Sequence, residues 1–313
     1  MLTFLAKRIL IALPTLWAVL TLVFFLVRVV PGDPALVVLG DQASPEALTA
    51  LRTRLGLDQS LPAQYVTYLG AIAHGDLGRS LTTNRPVLAD VLSVLPYTIE
   101  LTLAALAIGT IIGVPLGVLA ALKRNGIADW LARVLSLIGL SFPAFVSGIL
   151  LLVLFSIQLR WFPVISAPKS NDLGERLRAL ALPAINLGVI MIAYVTRVTR
   201  SGMLTALGED YVRTARAKGL TERLVIWRHA LRNVTIPVIT IIGLNLGVLI
   251  GNSVLTEIVF SRPGLGKIIV NALNTRDYAT LQGMMVVFAF TIVIANVLTD
   301  LAYGLADPRV KTT

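Results

Sequence analysis

The chain has 313 residues, 56% of them hydrophobic and 14% charged, with mean hydropathy +0.82; soluble domains carry about 25% charged residues, so this is the composition of an integral membrane protein. A formal charge of +10 would suggest nucleic acid in a soluble protein, but in a membrane protein basic residues mark cytoplasmic loops and meet anionic headgroups, so lipid and not nucleic acid is the expected contact. Cysteine is absent, which excludes disulfide frameworks, thiolate metal sites and cysteine nucleophiles.

A helix needs about 20 apolar residues to cross the hydrocarbon core. The first such run, residues 9–30, follows a basic start at Lys7 and Arg8. It exceeds the roughly 7–15-residue core of a secretory signal and no A-x-A site follows, so residues 1–30 read as an N-terminus and a retained first span. Residues 31–94 are more polar, with turn signals at "PGDP" and "GLDQSLP", and are long enough for a small helical subdomain. There "SPEALTALRTRLGL" predicts a helix: Ser44 as cap, Pro45 at the first helical position, Glu46 at the positive dipole end, and Leu48, Leu51 and Leu55 at helical spacing. Residues 95–306 hold five further runs, at about 95–121, 131–155, 180–198, 236–255 and 284–306. The 180–198 run is the shortest, interrupted by Asn186 and ended by Arg197.

Six spans put both termini on one side. With the N-terminus inside, the inner loops collect fifteen of the 27 Lys and Arg side chains, including Lys7, Arg8, Arg309 and Lys311, against seven in the shorter outer loops. Arg28 and the long first loop, which translocates largely regardless of charge, stand aside from that comparison. The balance predicts N-in and C-in, an extracytoplasmic 31–94 region, a cytoplasmic loop at 199–235 and a cytoplasmic tail at 307–313.

Two spans carry glycine at every fourth position: Gly109, Gly113 and Gly117 in the second, Gly243, Gly247 and Gly251 in the fifth. Such ladders let backbones approach closely, so both faces are expected to be helix contacts. Pro115 removes a backbone donor within the first ladder and makes a bend there plausible. Polar side chains in the spans are few; Asn186, Asn245 and Asn252 are the candidates for lining a solute path, and interhelical hydrogen bonding is the competing role.

Chemistry of its own is hard to find. No G-x-x-x-x-G-K-[ST] sequence occurs, and in the echo "PGLGK" Ser261 stands where the first glycine would and Ile268 where the magnesium-binding hydroxyl would. The two histidines, His74 and His229, fall in separate loops, and no H-E-x-x-H motif is present. No catalytic residue, metal site or cofactor is expected on this chain, and an intramembrane hydrolase is disfavoured.

The loop 209–233, "EDYVRTARAKGLTERLVIWRHALRN", is charged between two apolar runs. Tyr211, Val212, Ala215 and Gly219 share one helical face, with Glu209, Arg213 and Arg216 away from it. Small residues Thr214, Ala215 and Ala217 precede Gly219, which suits a helix end, and Thr221 is placed to cap a second helix carrying Leu220, Leu224, Trp227 and Leu231. Helix, glycine turn, helix fits a segment that docks on a partner; an amphipathic helix lying on anionic headgroups would also account for the charge. An autonomous channel or secondary carrier, its loop binding lipid or a regulator, stands beside the docking role.

These residues resemble the cytoplasmic signature of importer permeases of the ATP-binding-cassette class, E-A-A-x-x-x-G-x9-I-x-L-P, in its dipeptide/oligopeptide branch. Aligned on Gly219, only Ala215, Gly219 and Leu231 match the general motif strictly. The departures "DYVRTARAKGL" and "RHALRNVTIPVIT", with the proline late at Pro237, are those of the peptide branch. "FFLVRVVPGDP", "RLGLDQSLPAQY", "HGDLGRSL", "PYTIELTLAAL", "LSFPAF", "WFPV", "VFSRPGLGKIIVNALNTRDYATLQG" and "LADPRVK" resemble landmarks of that branch in the expected order.

The resemblance implies an all-α, type I importer-like permease in the bacterial inner membrane, for di- or oligopeptides, or for nickel, glutathione or another small solute. It also implies a homologous second permease, two ATPase subunits carrying ATP and magnesium, and an extracytoplasmic solute-binding protein. Glu209, Tyr211, Val212, Arg213, Thr214, Ala215, Arg216, Ala217, Lys218 and Gly219 would form the helix that couples to the ATPase, with Arg213, Arg216 and Lys218 available to its acids.

Overall fold

The computed structural model describes residues 2–29, 34–39, 43–54, 56–167 and 172–306. The side chains of Lys7, Arg8 and Arg28, the turn before Pro34, Leu55, and the tail with Arg309 and Lys311 lie outside the described residues. What is described is helical apart from an isolated antiparallel bridge between Arg79 and Pro86. Two compact units divide it: Ile9–Pro96 with Gly264–Val293, and Met1–Arg8 with Tyr97–Pro263 and Ile294–Thr313.

The first unit holds most of α1 (Leu2–Val29), then α2 (Pro34–Leu39), α3 (Pro45–Arg54), α4 (Leu61–Ala73), the start of α5 (Val87–Leu122), α12 (Leu265–Asn274) and the start of α13 (Tyr278–Ala306). In α3 the Ser44 hydroxyl accepts from the Ala47 N–H at 3.2 Å, and Leu48 and Leu51 turn inward. Hydrogen bonds from the backbone and Ser44 hold the Glu46 carboxyl below its ordinary value. Phe24 of α1 is buried against the Tyr65 and Tyr68 rings of α4, at 5.1 and 5.5 Å. Val87, Val91, Leu265 and Met284 form a separate apolar core.

At the edge of that core, Asp277 ties the 79–86 turn to the start of α13. Its carboxylate accepts from the Ser80, Thr82 and Thr280 hydroxyls and from the Leu81 and Thr280 N–H groups, at 2.6 to 3.2 Å. Burial alone would raise its pKa, but those donors hold it below the ordinary value.

The second unit holds the rest of α5, α6 (Ile127–Ser141), α7 (Ala144–Leu151) continued by a π-helix (Leu152–Gln158), α8 (Leu173–Ala206), α9 (Asp210–Ala217), the short α10 (Glu222–Leu224) continued by a second π-helix (Val225–Ala230), α11 (Leu231–Val259), and the end of α13. Here α8 is the central post. Its most apolar window is 61% buried, against 33% for the other long helices, so the run that looked shortest is the one most enclosed by protein. Asn186 is no interruption, because it is paired inside the bundle.

Val87–Leu122, Leu173–Ala206, Glu222–Val259 and Tyr278–Leu301 are each long and apolar enough to cross a membrane, and Leu10–Leu26 of α1 is a shorter apolar helix. The third expected span is not one straight helix: α6 and α7 meet at 104°. Phe142 is extended (φ −91°, ψ 130°) because the ring of Pro143 disfavours the helical region for the residue before it. The bend expected at Pro115 does not break its helix, since α5 runs unbroken from Val87 to Leu122.

The two glycine ladders fare differently. Gly109, Gly113 and Gly117 all face α8: a methyl group on Gly109 would overlap Met191, on Gly113 it would lie 2.8 Å from Val195, and on Gly117 2.7 Å from the Thr196 carbonyl. In α11, Gly243 meets Thr299 of α13, while Gly247 is half-buried and Gly251 faces open space. The expectation that the whole second ladder is a helix contact therefore fails within this chain at Gly251.

Candidate functional site

The charged loop folds as a short helix seated on the end of the bundle. Asp210 in the first turn of α9 and Arg216 in the last complement the helix dipole, but eight residues cannot hold a helix alone. Packing supplies the rest: Val212 and Ala215 are buried in one cluster with Met203 of α8 and with Val225, Ala230 and Val234. The face differs from the expected one in two ways. Tyr211 points outward, 38% exposed, because only i, i+3 positions reach the bundle here. Ala215, buried in this chain, is not a surface a partner can approach; Val212 is likewise inward.

Gly219 closes the helix. At φ +77° it occupies the left-handed region, its N–H donates to the Arg216 carbonyl at 2.9 Å, and the Leu220 N–H reaches back to the Ala215 carbonyl at 3.4 Å. This is a Schellman termination, which glycine adopts without a Cβ penalty. Glu209, Arg213, Thr214, Arg216, Ala217 and Lys218 are exposed with Tyr211. Two of the cations are already engaged: Arg213 pairs with Asp210 at 2.8 Å, and Arg216 donates to both oxygens of Glu222, at 2.8 and 3.3 Å. The Arg216 pair straddles the glycine turn, so it braces the loop.

The second helix keeps part of its expected stripe and loses Trp227 from it. Thr221 stands at the N-cap position without a side-chain cap bond, and Trp227 is 49% exposed. Inward positions are Val225, Ala230 and Val234. Leu220 and Leu231 of the expected stripe do pack against that cluster, partly buried, and Trp227 is the member that turns outward, within the π-helix, where each bond closes one residue later than in an α-helix.

The candidate path residues separate. Asn186 is 1% exposed. Its amide donates to the Ala144 carbonyl at 2.9 Å and to Thr256 at 3.4 Å, and its oxygen accepts from Ser147 at 2.8 Å. It therefore joins α8 to the first turn of α7 and to α11, with no side-chain surface left open within this chain. Asn245 is buried, its amide bonded to the Ile241 carbonyl of its own helix at 2.8 Å. Asn252 is half-buried beside the open Gly251.

Two ionic clusters escaped the sequence reading. Asp129, in the first turn of α6, has no exposed side-chain surface and is gripped by both forks of Arg200, whose second bond measures 2.9 Å, and by the Asn125 N–H at 3.0 Å. Asn125 itself has φ +61°. Arg200 thus clamps α8 to α6 about two turns before the end of α8. The second cluster lies at the other end of the unit: Glu100 accepts from Arg262 at 2.7 Å and Arg176 at 3.4 Å, Arg262 lies over the Tyr97 ring at 5.6 Å, and the buried Glu257 accepts from Thr98 at 2.6 Å. Burial lowers the Arg262 pKa against the pull of Glu100. Asp129 carried one sequence signal, an acid in a helix's first turn; its pairing over 71 residues carried none.

A bundle of apolar helices with a charged two-turn helix docked at its arginine-rich end is the architecture of a multi-pass membrane protein. Residues 113–312 match the binding-protein-dependent transport system inner membrane component, and residues 1–102 the N-terminal part of such membrane components. The chain belongs to this family and is a multi-pass inner-membrane protein.

It is 42% identical to the di/tripeptide transport system permease protein DppB of Pseudomonas aeruginosa, over 99% of each chain. It is 41% identical to the dipeptide permease DppB of Escherichia coli, over 99% of each, and 39% identical to the glutathione permease GsiC of Pectobacterium atrosepticum, again over 99% of each. Among solved structures, an inward-facing form of the MetNI methionine ABC transporter matches with TM-score 0.56 and 15% identity, over 69% of this chain and 95% of that one. That likeness concerns the fold, a type I importer permease.

Proposed function

We propose that this chain is the permease subunit of an ATP-driven importer of short peptides, forming half of the translocation path with a second, homologous permease. Cargo comes from an extracytoplasmic binding protein. Two partner ATPase subunits hold ATP and magnesium, so this chain binds no cofactor and catalyses nothing itself. The relatives named for dipeptides, for di- and tripeptides and for glutathione, itself a tripeptide, support short peptides as the cargo class.

One observation carries the coupling role: α9 is rooted in the bundle through Val212 and Ala215 while Tyr211, Thr214 and Lys218 remain on its outer side. A helix held this way moves as a body, so a push from the ATPase reaches α8 and α11 instead of being absorbed by a loop. Lys218 is the cation on offer to acidic groups; Arg213 reaches them by exchanging its exposed Asp210 partner, and Arg216 serves the turn. On α11 the exposed stripe of Leu244, Val248, Gly251 and Leu255 is a face for the second permease, and Asn252 beside it is the remaining candidate for the path.

In the reconstituted transporter, Arg213→Glu with Lys218→Glu lowers ATPase stimulation by loaded binding protein about tenfold or more, as loss of one or two charge-assisted contacts would, and Gly219→Pro lowers it as well, because proline cannot adopt the φ of +77° that closes α9. Membrane insertion survives in each. Normal stimulated hydrolysis in these variants refutes the docking role. Titration of the cognate binding protein with dipeptides, tripeptides, glutathione and nickel tests the cargo, and nickel binding alone would overturn the peptide assignment.

A further inference from the structure

On the side of the bundle where α6 passes α8, a cavity of about 210 Å³ opens, lined by Arg133, Arg197 and Arg200 along with apolar residues of both helices. It shares Ala132, Ser136 and Thr196 with a second cavity of about 470 Å³ that continues between α5, α6 and α8. The second is almost wholly apolar, walled by residues such as Leu116, Leu131, Leu135 and Ile138, with Ala128 and Gly139 as its limits on α6. Together they make one groove with a cationic mouth and an oily tail.

The three arginines are not equivalent. Arg200 is committed to Asp129. Arg133 makes only a 3.6 Å contact with the same carboxylate and is 52% exposed, and Arg197 is exposed with no ion pair or hydrogen bond among the described residues. Two guanidinium groups are therefore left at the mouth, and such forks suit phosphate oxygens.

The geometry points to a binding site for one anionic phospholipid of the cytoplasmic leaflet, its phosphate between Arg133 and Arg197 and one acyl chain in the groove. Depth distinguishes this occupant from a partner's helix. From Ala128 to Gly139 the groove follows α6 for eleven residues, about 16 Å at 1.5 Å per residue, which is half of a hydrocarbon core of about 30 Å. A transmembrane helix would need a full-length groove; an acyl chain needs one leaflet. Trp130, 57% exposed beside the mouth, marks headgroup depth, and the mouth lies at the end richest in Lys and Arg, where anionic headgroups are drawn.

The chain has no native cysteine, so Leu135→Cys, in the assembled transporter with its other cysteines replaced, places a fluorophore in the groove. In vesicles of phosphatidylcholine with either brominated phosphatidylglycerol or brominated phosphatidylcholine, the anionic lipid quenches with about tenfold higher apparent affinity, the worth of one or two charge-assisted contacts. Arg133→Gln with Arg197→Gln equalises the two lipids, whereas Arg133→Lys with Arg197→Lys, which keeps the charges, retains a preference. Added inorganic phosphate leaves the preference in place. Equal quenching in the parent, a preference surviving the glutamine pair, or displacement by phosphate overturns the site. Shielding from both lipids in the intact complex also overturns it, because a protein partner then fills the groove. None of these readouts depends on transport.

Discussion

Replacing Asp129 by alanine would leave Arg200 without its carboxylate. Breaking a buried ion pair by removing one partner costs about 3–5 kcal/mol, because the surviving charge is stranded. Arg200 keeps 21% of its side chain exposed, and at headgroup depth it can recover part of its hydration, so about 2–3 kcal/mol is expected. The Asn125 N–H also loses its acceptor, which is part of that cost.

A double-mutant cycle isolates the pair. Asp129→Ala with Arg200→Ala should give a coupling energy of about 2 kcal/mol, since their contact is bidentate and covered. Asp129→Ala with Arg133→Ala should give at most about 0.5 kcal/mol, since that pair is 3.6 Å apart and half in solvent. Equilibrium denaturation in mixed detergent micelles, followed by tryptophan fluorescence with Trp130 next to the lost acid, measures both. Equal couplings, or a value near zero for Arg200, would refute the view that Arg200 carries the clamp between α6 and the end of α8 that leads to α9.

Four further outcomes are expected. Gly117→Ala should cost about 1–3 kcal/mol, because its new methyl group meets the Thr196 carbonyl 2.7 Å away and backbone must shift. In the isolated chain Gly251→Ala, with nothing within 4 Å, should instead be neutral or gain up to about 1 kcal/mol of helix propensity; denaturation midpoints moving together would contradict this. Asn186→Ala should cost about 0.5–1.5 kcal/mol, the usual range for an interhelical bond in a bilayer, and leave transport kinetics unchanged once assembly is corrected for; altered substrate affinity would return Asn186 to the path. Because the Asp277 carboxyl is held below its ordinary value of 3.8, its contribution is fully present above that value and fades as pH falls toward the depressed one. Amide exchange at Leu81 and Thr280 should then accelerate only in that acid range, and Asp277→Asn should abolish the dependence.

Some features of this protein are local enough to be written in its sequence. Apolar run length alone locates the membrane segments, since hydrocarbon demands about 20 apolar residues of any helix that crosses it. The glycine end of α9 was legible too, because a Schellman turn needs a residue tolerant of positive φ and Gly219 stands where the apolar spacing stops. The break after Ser141 was also present as Phe142–Pro143, although hydropathy averages over it.

Tertiary structure decided what depends on partners distant in sequence. A glycine ladder has the same pattern whether it meets a neighbour, as at Gly117, or faces open space, as at Gly251. Asn186 has the same amide whether it lines a channel or joins three helices, and only the arrival of Ala144, Ser147 and Thr256 around it settles which. Trp227, within the π-turn at Val225–Ala230, faces outward while Leu220 and Leu231 of the same stripe pack, and Asp129 found Arg200 only when α6 and α8 came side by side. Periodicity and composition describe how a segment relates to solvent; which groups meet across segments is set by the packing of helices against each other.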